Sequence, residues 1–381
     1  MTLEEKYKGW KEIFYKYFIF KDNNNEQGSN IPLSSINLDT KSGISGDGTI
    51  DLAYYLQYAY TLLLLNEDDG QEVANGLLAL QRLCDNAYNI ISKDNPGIYF
   101  IKEPGFFLRD DIRSTDASKF NLDSINTSFT KGYELINEDP CHSMFISQDQ
   151  VWNLVPILNI LAKDGYQLAK SLGYNILKFV VENKHRIYNP YYSAIYHHWT
   201  YVPTFNTNKV KPWDRVTDRN KNLKYKVRVK RGSYNWYFSY GFKKAYNKFG
   251  GNSKTFWSSL WYKPFIFLAD RVWEPLVSLF GGSVKNNSYY CLGVGADAWY
   301  AGSCDKRLIN RFNDSLYYNV LDEEDLFMPH LAFLTDKVDK IDYLSLEEWL
   351  EHYPEPVEKG EIGSPIIFMI LYNWYKIYKS K

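Results

Sequence analysis

Charge of one sign is what this chain most lacks. Its 44 Lys and Arg nearly balance 45 Asp and Glu, leaving a formal net charge of −1. The chain as a whole therefore has no electrostatic drive toward nucleic acid or an anionic membrane surface. The local exception is the basic run Lys224–Arg231, which suits solvent, phosphate or a carboxylated sugar. Long apolar runs are also missing. Leu62–Leu65 is too short to span a bilayer, and Ile366–Tyr378 is short and broken by Asn373 and Lys376. The opening segment, Met1–Trp10, is charged and has no apolar centre, so it does not read as a secretory signal. The expected location is cytoplasmic, or periplasmic or extracellular if a signal has been removed.

Cysteine is scarce. Cys84, Cys141, Cys291 and Cys304 have no close zinc-type spacing. Cys84 falls on an apolar helical face and reads as a buried thiol, while Cys291 and Cys304 could pair. The acidic run Asp322–Asp325 has no EF-hand pattern and reads as a solvated turn or helix start. The chain contains no HExxH, no nucleophile elbow and no strand–glycine-loop–helix unit. No metal and no cofactor are expected.

Aromatic side chains are abundant. They make up 17% of the chain, with 33 Tyr, 22 Phe and 11 Trp. Many must be core, yet Tyr and Trp also provide rigid contact area with a polar handle, and an aromatic cleft suits the C–H faces of a sugar. Charged residues at 23% and apolar residues at 45% give the balance of a globular protein.

Helical signals dominate the rest. Thr2-Leu3-Glu4-Glu5 is a capping box. Asn23–Ser45 is polar and reads as irregular. Leu52, Tyr55, Leu56, Ala59, Leu62 and Leu63 repeat at helical spacing, which predicts a helix from Gly46 to Leu65. A partner is predicted from Glu72 to Ile91. The pattern returns with a helix opening at Ser147 and another over Tyr166–Lys184, separated by Asp164-Gly165. Further helices are expected near 234–249, 256–280, 304–320, 346–352 and 364–378, the penultimate one opening on a Ser345/Glu348 box. Tyr225, Val227 and Val229 alternate with charged residues and fit a short exposed strand. Asn95–Phe145 is a long aperiodic segment, the kind of loop that often carries function.

Two acidic sites stand out. Pro104-Gly105-Phe106-Phe107-Leu108-Arg109-Asp110-Asp111 places two carboxylates beside a guanidinium, and Ser147-Gln148-Asp149-Gln150 opens a helix. Glycoside hydrolysis uses one carboxylic acid to protonate the leaving oxygen and a second carboxylate to activate water or attack carbon. Asp111 is the candidate acid and Asp149 the candidate base, with Asp110 as the third catalytic candidate. Neighbouring Asp110 and Asp111 point apart if the backbone is extended. Arg109, Asp47, Gln150, His197, His198, Trp199, Tyr201, Trp213, Trp236 and Trp299 are the candidate substrate contacts.

Paired long helices, aromatic loops and acidic residues at helix starts resemble the α/α-toroid group of carbohydrate-active proteins. That group includes six-hairpin glycoside hydrolases, unsaturated-glucuronyl hydrolases, sugar epimerases, polysaccharide lyases and gut-bacterial members. The resemblance covers about Gly46–Tyr378. It implies an all-α (α/α)6 toroid over 1–381, with long loops at one mouth, a peripheral helix and loop at 1–45, and a loop insertion at 189–231 that holds a short β-hairpin. The function expected is glycoside hydrolysis of an oligosaccharide in an aromatic cleft. The alternatives are a non-catalytic glycan-binding protein, or a lyase or epimerase of the same fold. The expected partner is an oligosaccharide or polysaccharide.

Overall fold

A computed structural model describes residues 1–21, 28–46, 48–94, 104–105, 107–108, 110–127, 148–182, 243–254, 313 and 341–380. Helix α1 (Leu3–Ile13) begins on the expected box: the Thr2 hydroxyl accepts from the Glu5 amide at 3.2 Å, and the Glu5 carboxylate accepts from the Thr2 amide at 2.8 Å. Its buried stripe is Lys6, Tyr7, Trp10 and Ile13. A single π turn, Phe14–Phe18, continues it and buries both end rings completely.

Helix α2 (Gly48–Leu64) is buried on nearly all sides. A helix that is apolar all round belongs at the centre of a packed structure. Helix α3 (Gln71–Asp94), α4 (Gln148–Lys163) and α7 (Ile366–Lys379) pack around it. The few polar groups of α2 are served locally. Asp51 accepts from the Ser34 hydroxyl at 2.6 Å, Tyr60 donates to Asp164 at 2.7 Å, and Thr61 accepts from Asn373 at 2.8 Å. Tyr7 and Tyr58 join their hydroxyls at 3.2 Å, and Tyr55 donates to Glu72, which also pairs with Lys21.

α2 and α3 form one helical hairpin, and α4 pairs with α5 (Gln167–Glu182) to form another, close to the expected boundaries. Helix α6 (Tyr343–His352) starts one turn earlier than the Ser345/Glu348 reading. Its cap is Asp342, which accepts from the Leu344 and Ser345 amides at 3.1 and 3.2 Å. Cys84 lies half-buried on α3, where burial pushes its thiol up to about 12.

The described residues also contain a four-stranded mixed sheet, in the order β3-β2-β1-β4. The strands are β1 (Ser35–Asn37), β2 (Ser42–Ser45), β3 (Ser124–Thr127) and β4 (Glu361–Gly363). β1 pairs antiparallel with both β2 and β4, and β2 pairs parallel with β3. The β1–β2 turn is fixed by Asn37, whose side chain accepts from the Asp39 and Thr40 amides. The register sets Ile125, Gly43, Ile36 and Ile362 in one row, and all four are buried. Gly43 keeps that row open: a Cβ there would lie 2.8 Å from Leu122 and 2.9 Å from Leu33.

The expectation of an all-α (α/α)6 toroid is therefore corrected. The described residues are only partly helical, they include a mixed sheet, and they form no ring of six hairpins. Periodicity identified helices but carried no information on closure. A ring needs an open centre, whereas α2 fills the middle of its group with side chains on every face. The hairpin expected within 189–231 lies outside the described residues, and a β-hairpin occurs instead at 35–45, in a stretch read as irregular.

The two ends of the chain close on each other. Lys6 is 4% exposed, and its ammonium donates to the carbonyls of Leu350 (3.3 Å), Glu351 (2.7 Å) and Tyr353 (2.7 Å), at the end of α6. The Trp10 indole donates to the Pro354 carbonyl at 2.9 Å, and Tyr372 donates to Glu4. Among the described residues no helix is long and apolar enough to cross a membrane.

Candidate functional site

The segment around Asp111 is held by two features of the sequence. Gly105 has φ +102°, and a Cβ there would lie 2.0 Å from the Asn175 carbonyl oxygen on α5. Only glycine permits that backbone approach. Further along, the Leu108 amide donates to the Leu83 carbonyl of α3 at 3.3 Å. The chain then runs past Asp110 and Asp111 into a 3-10 helix, Ser114–Phe120.

Asp110 and Asp111 face different surroundings, as adjacent side chains on an extended backbone do. Asp110 is 1% exposed. Asp111 lines a surface pocket of about 150 Å³ with Phe20, Arg82, Asp116, Lys119 and Phe120. Arg82 of α3 forks onto Asp111, with Nε to Oδ2 at 2.6 Å and Nη2 to Oδ1 at 3.0 Å. The same guanidinium donates to the Gly28 carbonyl at 3.2 Å and the Ser29 carbonyl at 2.5 Å. Bidentate pairing of this kind is strong and directional. It ties α3, the Gly28–Ser29 segment and the Asp111 segment together at one point.

The 3-10 helix forms the opposite wall. Asp116 accepts from the Arg113 amide at 2.9 Å and pairs with Lys119 at 3.2 Å, one turn on. The Lys119 ammonium also stands 5.3 Å from the centre of the Phe20 ring, a cation–π contact. Phe20 meets Phe120 edge-on at 6.4 Å. The pocket thus combines two opposite-charge pairs with two phenyl rings. Both oxygens of Asp111 accept guanidinium hydrogens.

The other candidates are placed as follows. Asp149 lies in the first turn of α4. Gln150, next to it, is fully buried. Arg109, Asp47, His197, His198, Trp199, Tyr201, Trp213, Trp236 and Trp299 lie outside the described residues. Among the described residues no group of three or more His, Cys, Asp or Glu could hold a metal ion.

Sequence reasoning passed over Arg82, Asp116, Lys119, Phe20 and Phe120. The Asp116/Lys119 spacing is a readable signal of a one-turn pair. Arg82 gave none, because it sits in a helix whose apolar stripe drew attention and its partner is 29 residues away. Compared with known proteins, the chain matches no family model, no curated protein and no solved structure.

Proposed function

We propose that the protein is a non-catalytic glycan-binding protein and that the Arg82–Asp111 pocket is its binding site. The observation that carries this reading is the Arg82 fork on Asp111. It occupies the carboxylate that would otherwise serve as acid and leaves it a rigid hydrogen-bonding group at the pocket wall. Fixed charged groups beside the half-buried Phe20 ring are the elements a sugar needs, hydroxyl partners together with an apolar surface for its C–H face. The chain's near-neutral charge fits an uncharged polar ligand better than a polyanion.

The test is to incubate the full chain with a broad set of neutral and acidic oligosaccharides, resolve products by mass and by a separation that detects isomers, and measure binding in parallel. The expected result is saturable binding with every sugar recovered unchanged, and binding weakened about tenfold or more in Lys119→Ala. Hydrolysis lost in both Asp111→Asn and Asp149→Asn, with folding retained, would overturn the reading in favour of a carboxylate acid/base enzyme. An unsaturated or epimerised product would overturn it in favour of a lyase or an epimerase.

A further inference from the structure

We infer that the pocket takes a single neutral sugar unit at the end of a glycan, and that it discriminates against uronates; this rests on the glycan-binding reading above. Two observations lead there. The first is size. The pocket is an open surface depression of about 150 Å³, well below the roughly 300–1,000 Å³ of sites that take drug-sized ligands. That space admits one ring and leaves the remainder of a chain outside.

The second is how its charges are arranged. The pocket wall carries two cations, Arg82 and Lys119, and two carboxylates, Asp111 and Asp116. Arg82 is held by Asp111 at 2.6 and 3.0 Å, and Lys119 by Asp116 at 3.2 Å. Among the described lining residues the charges balance. A uronate carboxylate entering here adds a third negative charge beside Asp111 and Asp116, with no third cation among the described lining residues to meet it. A neutral sugar has no such cost. Its hydroxyls can donate to Asp111 and Asp116 and accept from Lys119 with both pairs intact, beside the part of the Phe20 ring that Lys119 and Phe120 leave exposed.

The experiment titrates the full chain with methyl hexosides of glucose, galactose and mannose and with the matching methyl uronates, in low and in high salt, following binding by ligand-observed NMR. At least one neutral hexoside is expected to bind about tenfold or more tighter than its uronate, with little change on adding salt. Asp116→Asn keeps an acceptor for the Arg113 amide but removes one negative charge from beside Lys119. That variant is expected to gain several-fold in affinity for uronates, and the gain should disappear in high salt. Uronate binding that is tighter than hexoside binding in the unaltered protein would overturn this inference while leaving glycan binding intact. So would binding only to internal stretches of a chain. If no sugar of either kind binds, both readings fall together.

Discussion

Gly105 and Arg82 show how single residues place the pocket. A β-carbon at position 105 would sit 2.0 Å from the Asn175 carbonyl, on a backbone with φ +102°. Gly105→Ala should therefore destabilise the protein by more than the roughly 1 kcal/mol of an ordinary strained glycine site. A lowered urea midpoint at unchanged slope would show it, and an unchanged midpoint would mean that the segment does not rest on α5. Arg82→Ala removes the forked guanidinium from Asp111, whose side chain is 8% exposed and which keeps other contacts. Removing one partner of a buried pair costs about 3–5 kcal/mol, and with Arg82 19% exposed the lower end, about 3 kcal/mol, is expected. A double-mutant cycle with Asp111→Asn should return a coupling well above that of a surface pair. At this scale the sequence was partly legible: adjacent Asp110 and Asp111 could be seen in it, but not that Gly105 packs against Asn175 or that Arg82 of α3, 29 residues away, forks onto Asp111.

At the scale of elements, helices could be read and strands could not. α2, α3, α4 and α5 carry apolar repeats of 16 residues or more, long enough for the 3.6-residue period to show. The strands are three or four residues each, β1 to β3 rich in Ser and Asn, and each pairs with a segment distant in sequence or across a tight turn. A period of two needs more length than that to emerge, and only the tertiary pairing makes these segments strands. Helix caps fall in between. The box at Thr2 was legible because both of its partners lie within one turn. Ser345 misled because it is itself a recipient: its amide and hydroxyl both donate to Asp342. Asp342→Ala should cost about 1 kcal/mol and speed amide exchange at Leu344 and Ser345, while Glu348→Ala should leave both unchanged.

Across the whole molecule, buried phenols should govern the alkaline limit of stability. Burial pushes Tyr7 up to about 12 from an ordinary 10.0, and it also raises Tyr15, Tyr55 and Tyr58. The folded state holds the neutral phenol more tightly than the unfolded chain does. The resulting stability is complete below pH 10 and drains away as pH rises from 10 through 12. An alkaline titration followed by tyrosinate absorbance should show one group of phenols ionising near its ordinary value. A second group should ionise together with loss of helical circular dichroism. Tyr7→Phe should carry the unfolding step to higher pH, and a step that stays in place would show that Tyr7 does not contribute.

The closure of Lys6 on the carbonyls of Leu350, Glu351 and Tyr353 has a consequence for biosynthesis. The ammonium and its first acceptor are separated by 344 residues. At about 5–20 residues per second, a ribosome needs roughly 17–70 s to make the second half of that contact after the first has emerged. Over that interval Trp10 of α1 lacks Tyr353 and Pro354, and Tyr7 lacks the Tyr372 ring that stacks on it. β1 likewise waits for β4. The growing chain therefore carries Tyr7 and Trp10 without their later partners over that interval, and the packing of α1 is completed only after translation has passed Tyr372.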